Sequence, residues 1–142
     1  MVEQIIAELI NGLPIPLRNA GSVCKGSGLY AIEENHELIY VGLGSNLSKR
    51  LKQHLRLNAR GSMFAYRYML KELGGVEPSC PTKQKNLLRQ RFKLAHVEER
   101  KRLSSKVASL NVRTATCPKH LLRSIERQVI EKLKPKLNRH GK

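Results

Sequence analysis

The chain has 142 residues, with 27 lysines and arginines against 11 carboxylates and a formal net charge of +16. That length supports one domain with a modest core, and the charge suits a polyanionic partner, nucleic acid before an anionic membrane surface. No run of about 18 apolar residues is present to span a bilayer, the three cysteines Cys24, Cys80 and Cys117 are odd in number and far apart rather than a disulfide framework, and 4% aromatic content is too low for a base-stacking platform.

These features, with no leader before the first polar residues, give the expectation of a protein in a reducing, cytoplasmic compartment. Val2 to Leu13 has apolar residues at helical period, and Pro14 and Pro16 end it, so residues 1–16 are expected to form an N-terminal packing helix. Leu17 to Ser27 reads as a loop, in which Lys25 is a candidate phosphate contact. Leu29 to Ile32 and Leu38 to Val41 are short β-forming runs around a polar stretch, a hairpin signal. A turn centred on Asn35 would set Tyr30 opposite Tyr40, on one face of the sheet. Gly42 and Gly44 break the second strand, and Ser45 or Asn46 can cap a helix carrying Leu47, Leu51 and Leu55 at i, i+4, i+8. Arg50 and His54 flank that stripe at helical spacing, with the hairpin as the nearest surface for them to face.

Residues 58–106 read as a basic, mostly helical insertion: a helix over Ser62 to Leu73, a loop, then a helix over Lys83 to Lys106. The last of these holds nine basic residues against Glu98 and Glu99. Arg89, Arg91, Lys93, Arg100, Lys101 and Arg102 there, with Lys25 and Lys49 upstream, are candidate contacts to DNA phosphates, which position a protein without choosing a sequence. Val107 to Ala115 alternates as a half-buried strand. The final helix, behind Pro118, carries Leu122, Ile125, Val129 and Leu133 in one stripe, with Glu126 inside that stripe and Glu131 opposite. A buried carboxylate needs a cation or hydrogen bonds, so Glu126 is read as the partner of an arginine or a metal. The sum is an α+β domain, residues 1–142, with a small three-stranded antiparallel sheet flanked by helices.

The order Gly28-Leu29-Tyr30, Tyr40-Val41-Gly42, Arg50, His54, Glu126 and then Pro135-Lys136-Leu137-Asn138 resembles the signature of the GIY-YIG endonucleases. Leu29 replaces the isoleucine or valine of the first motif, and Leu43 stands where many members have lysine. The resemblance implies hydrolysis of a DNA phosphodiester, with Glu126 holding one Mg²⁺ or Mn²⁺ ion and Arg50 binding the scissile phosphate. Tyr30 is then assigned as general base, with Tyr40 positioning water and phosphate. The cations Arg50, His54 and the metal are expected to favour the Tyr30 phenolate. His54 either hydrogen-bonds Tyr30 or contacts phosphate, and Asn138 pins the chain end near the site. Compactness, the basic insertion and the Arg50–His54 pair resemble the type II restriction enzymes of the family, which suggests a dimer cutting double-stranded DNA. The alternatives are a structure-specific repair, phage or mobile-element nuclease, and a basic nucleic-acid-binding protein without catalysis.

Overall fold

A computed structural model describes residues 1–57, 62–73, 81–94 and 97–138. Its elements run α1 (Val2–Asn11), β1 (Ile15–Pro16), α2 (Leu17–Val23), β2 (Gly28–Glu34), β3 (Glu37–Gly44), α3 (Leu47–Leu55), α4 (Met63–Leu73), α5 (Pro81–Leu94), α6 (Val97–Ser109), β4 (Asn111–Thr116) and α7 (Leu122–Leu133). Among the described residues no helix is long and apolar enough to cross a membrane.

The sheet has four strands rather than three, all antiparallel, in the order β1-β4-β2-β3. The additional strand is the two-residue β1, where Ile15 and Pro16 pair with Val112 and Asn111. It left no sequence signal because two residues cannot show alternation, and a proline is tolerated there only because the strand lies at the sheet edge. Leu17 to Val23, expected as loop, is a helix that buries Leu17, Ala20 and Gly21. Packing decides this helix against the propensity of its Asn, Gly and Ser. Gly21 lies against Ser48 and Lys52 of α3, and a side chain there would meet the Lys52 stem.

The hairpin forms, in a different register. Its turn is the pair Asn35–His36, both in the left-handed region with φ of 51° and 65°, as a two-residue primed turn requires. A bulge between Ile32 and Glu33 then shifts the pairing, so Tyr30 faces Gly42 and Tyr40 faces Ile32. Direct pairing of Tyr30 with Tyr40 is therefore corrected to a diagonal. Because the offset is two residues, both rings stay on one face, with centroids 6.3 Å apart.

That face carries Tyr30, Ile32 and Tyr40 into a core with Leu51, Phe64, Tyr66, Tyr68, Leu103 and Val107. The opposite face sends Leu29, Ala31, Val41 and Ala115 into a second core with Ile5 and Leu9 of α1 and Ile125 and Val129 of α7. The sheet is thus a middle layer, consistent with its near-continuous burial over residues 28 to 32. The basic segment expected as one helix over Lys83 to Lys106 is two, α5 and α6. The fourth strand starts at Asn111, because α6 continues through Ser109. Cys24 and Cys117 are buried free thiols, whereas Cys80 lies outside the described residues.

Candidate active site

β3 is the edge strand opposite β1, and its outer side is covered in part by the chain's C-terminal segment. Leu137 N–H donates to the Ile39 carbonyl at 2.7 Å. Asn138 then acts as a strand residue would through its side chain: its Oδ1 accepts from Val41 N–H at 2.8 Å and its Nδ2 donates to the Val41 carbonyl at 2.9 Å. Immediately beyond Val41, a cavity of about 260 Å³ opens, lined by Tyr30, Tyr40, Gly42, Leu43, Arg50 and Glu126 among others. Glycine is required at position 42, because an added methyl would strike the Tyr30 hydroxyl and ring.

The cavity draws on four elements. β2 supplies Tyr30, β3 Tyr40, α3 Arg50 and α7 Glu126. α3 begins at Asn46, whose side-chain oxygen accepts from Lys49 N–H at 3.2 Å, a regular N-cap. One turn into this helix, Arg50 donates to Gln53 Oε1 at 3.1 Å and to the Tyr30 hydroxyl. Glu126 lies at the margin of the α7 stripe and opens to the cavity, half-buried, while Glu131 is exposed. Burial raises the Glu126 carboxyl, and the Arg50 and Arg123 charges oppose that without cancelling it. A divalent cation would offset the remaining desolvation. Among the described residues no cluster of three or more His, Cys, Asp or Glu side chains exists to hold a metal. One hard carboxylate oxygen with water and substrate oxygens for the rest is a donor set that magnesium accepts. The residues present therefore fit a single ion at Glu126.

His54 does not line the cavity. It is fully buried behind Tyr30, with its Nε2 2.5 Å from the Tyr30 hydroxyl and its Nδ1 2.6 Å from Ser62 Oγ. Of the two expected roles, contact with Tyr30 is the one the geometry allows. Ser62 Oγ also accepts from Ala65 N–H at 3.0 Å, capping α4. Phe64 from that helix packs against His54 and Tyr40, with ring centroids 5.2 and 5.4 Å away. Neither the Ser62 contact nor this Phe64 wall had a sequence signal, since both depend on where α4 folds back.

The electrostatics correct one expectation. Burial pushes the His54 imidazole down to about 3, reinforced by the Arg50 charge, so His54 is neutral and adds no positive charge. Burial, and secondarily Tyr40, push the Tyr30 phenol well above its usual range, and the Arg50 charge and hydrogen bond only partly oppose this. Tyr40 is raised too, by burial first, against Arg50 and Arg67. Burial therefore keeps both phenols protonated, because desolvation outweighs the Arg50 guanidinium at Tyr30 and those of Arg50 and Arg67 at Tyr40.

Of the candidate phosphate contacts, Lys25 and Lys49 line one wide basic cavity. Arg89 and Arg91 sit on α5, where Arg91 donates to the Leu73 carbonyl at 3.2 Å. Lys101 is exposed on α6, and Arg102 lies 3.6 Å from Glu72. The side chains of Lys93 and Arg100 fall outside those described.

Residues 21–142 match the family model described as the GIY-YIG catalytic domain. The comparison with curated proteins gives no match. Among solved structures, the GIY-YIG N-terminal endonuclease domain of UvrC from Thermotoga maritima, a tyrosine-to-phenylalanine mutant bound to its catalytic divalent cation, is similar at 16% identity and a TM-score of 0.45. The match covers 87% of this chain and 96% of that one.

Proposed function

The chain belongs to the GIY-YIG catalytic-domain family of nucleases, and on that premise we propose that it is a metal-dependent DNA endonuclease with Tyr30, Tyr40, Arg50, His54 and Glu126 as its working residues. The observation that carries the reading is the convergence of two tyrosines, a guanidinium and a half-buried carboxylate from four elements on one cavity.

Phosphodiester hydrolysis needs an attacking water stripped of a proton, charge stabilisation on the phosphoryl oxygens, and a stabilised leaving oxygen. Arg50 is held in place by Gln53, so its fork of donors can bind the scissile phosphate and meet the charge that grows on it. Bound at Glu126, Mg²⁺ or Mn²⁺ would offset the charge on the leaving 3′ oxygen. Tyr30 is the water's base, working as a relay rather than as a resting phenolate. As its hydroxyl oxygen takes a proton from water, its own proton passes over 2.5 Å to His54 Nε2. That requires the tautomer in which His54 Nδ1–H donates to Ser62 Oγ. The imidazolium so formed is strongly acidic in its buried site, so it gives its proton back to the Tyr30 oxygen, which releases the proton taken from water to solvent at the cavity mouth, where the leaving 3′ oxygen takes one up. Tyr40 positions water and phosphate at the cavity mouth, and Asn138 steadies β3 without touching the reacting atoms.

The finer reading is sequence-specific cleavage of both strands by a pair of copies, as in restriction enzymes, on the strength of Arg50 and His54 sharing α3. Discrete fragments from a long duplex would support it, and a smear or cuts confined to branched junctions would replace it with a structure-specific nuclease. For the catalytic reading, Glu126→Ala should abolish Mg²⁺-dependent nicking by a factor of roughly 10³ or more while DNA binding changes little. Retained nicking would remove Glu126 from the mechanism.

A further inference from the structure

The candidate active site is one end of a longer depression. The 260 Å³ cavity shares Gly44, Ser45 and Arg50 with a small cleft of about 150 Å³. That cleft in turn shares Ser45, Asn46, Lys49 and Gln53 with a cavity of about 750 Å³. The three adjoin in series along α3, a trough whose parts share their walls. Its wide end is lined by Lys25, Lys49, Lys52, Arg56 and Lys119, with no carboxylate in the lining. Five cations elsewhere are set against carboxylates instead: Lys71 pairs with Glu34, Lys106 and Arg102 with Glu72, Arg113 with Glu33, and Lys136 with Glu37.

The trough is also preformed. Its walls are α3, the loop after α2 and the turn before α7, and backbone contacts join them. Leu47 N–H donates to the Gly26 carbonyl at 2.8 Å, and the Ser48 hydroxyl to the Gly21 carbonyl at 2.5 Å. Ser27 and Cys117 exchange two bonds, Cys117 N–H to the Ser27 carbonyl at 3.1 Å and the Ser27 hydroxyl to the Cys117 carbonyl at 2.7 Å. Lys49, Lys52 and Arg56 fall at i, i+3 and i+7, one face of α3, and span roughly 10 Å along its axis at 1.5 Å per residue. A DNA strand advances about 3.4 Å per phosphate along its axis, so this row matches about three successive phosphates.

We propose that this trough is the track for the DNA backbone on one side of the scissile bond, holding about three phosphates next to the one seated at Arg50. The proposal rests on the nuclease reading for the position of the scissile phosphate and assigns Lys52, Arg56 and Lys119 to binding beside Lys25 and Lys49. Contacts of this kind set affinity and strand position and carry no base readout.

The test uses the full chain and a labelled 30-base-pair duplex, with binding measured by anisotropy across a salt series in EDTA. Removing one phosphate-binding cation should lower the salt slope by about 0.9. Lys25→Ala/Lys52→Ala/Lys119→Ala should therefore reduce it by roughly 2 to 3 and raise Kd on the order of 100-fold near 0.1 M salt. A control replacing Lys83, Lys132 and Lys136 should move it far less. In cleavage assays with Mg²⁺, shortening one arm of the duplex to the scissile bond should raise KM for the wild type and leave the triple variant unaffected. Shortening the other arm should affect both alike. A triple variant indistinguishable from the control, or sensitivity to both arms equally, would overturn the track. A slope change in the triple variant together with a wild type that never cuts would overturn the nuclease reading, and with it the placement beside a scissile bond, and leave the trough as a DNA-backbone binding surface.

Discussion

Lowering pH tests whether His54 is held neutral inside the fold. Its ordinary value is about 6.5, and in the folded chain burial pushes it down to about 3. A depressed histidine contributes stability that is present above the unfolded value and is lost as pH falls toward the folded one, because only the unfolded chain takes up the proton. One such group changes stability by about 1.4 kcal/mol per pH unit, hence about 2 kcal/mol between pH 6.5 and pH 5. Urea unfolding of the wild type and of His54→Gln at pH 7.5 and pH 5 isolates this contribution, since glutamine does not titrate and the other groups cancel in the difference. At pH 7.5 the variant should be less stable, by about 1 to 3 kcal/mol, from disturbed bonding to Tyr30 and Ser62. At pH 5 the gap should close by about 2 kcal/mol. A gap independent of pH would refute the neutral, buried His54, and the relay that uses its Nε2 as acceptor would fall with it.

Other substitutions probe separate parts of the site. Gly42→Ala drives a methyl into the Tyr30 ring, which His54 and Arg50 hold in place. Cleavage should drop on the order of 100-fold and stability by about 1 to 3 kcal/mol, read by nicking and urea unfolding. Tyr30→Phe keeps the ring and removes the relay oxygen, so the nicking rate should fall by roughly 10² to 10⁴. Tyr40→Phe should cost less, and the reverse order in the same assay would exchange their roles. Asn138→Ala removes both bonds to Val41 and should destabilise the chain by about 1 to 3 kcal/mol in thermal unfolding.

The hairpin and the Arg50 helix were legible because each rests on local periodicity, whereas Glu126, expected inside the α7 stripe, lies half-buried at its margin. The register of the hairpin was not legible. His36 at a positive φ and a bulge after Ile32 leave no compositional mark of the kind an Asn-Gly pair gives. Tyr30 and Tyr40 still share a face because strand parity tolerates an offset of two and would not tolerate one. The helix at Leu17–Val23 was hidden by poor formers that its packing against α3 outweighs. His54 read as a helix-flank cation, whereas its surroundings, Tyr30, Ser62 and Phe64, come from segments a helix period cannot join. Lys52, Arg56 and Lys119 were invisible as a group for the same reason. Their common surface exists only once the turn before α7 is set beside α3.

On the proposed function, the residues around Glu126 cut DNA with a divalent metal. Purified protein incubated with a phage-sized duplex, with Mg²⁺ and with EDTA, followed by sequencing of the ends, tests it most directly. Cleavage is expected only with metal, leaving 3′-hydroxyl and 5′-phosphate ends, and none from Glu126→Ala. Equal cleavage in EDTA, or intact duplex bound tightly in both conditions, would contradict it.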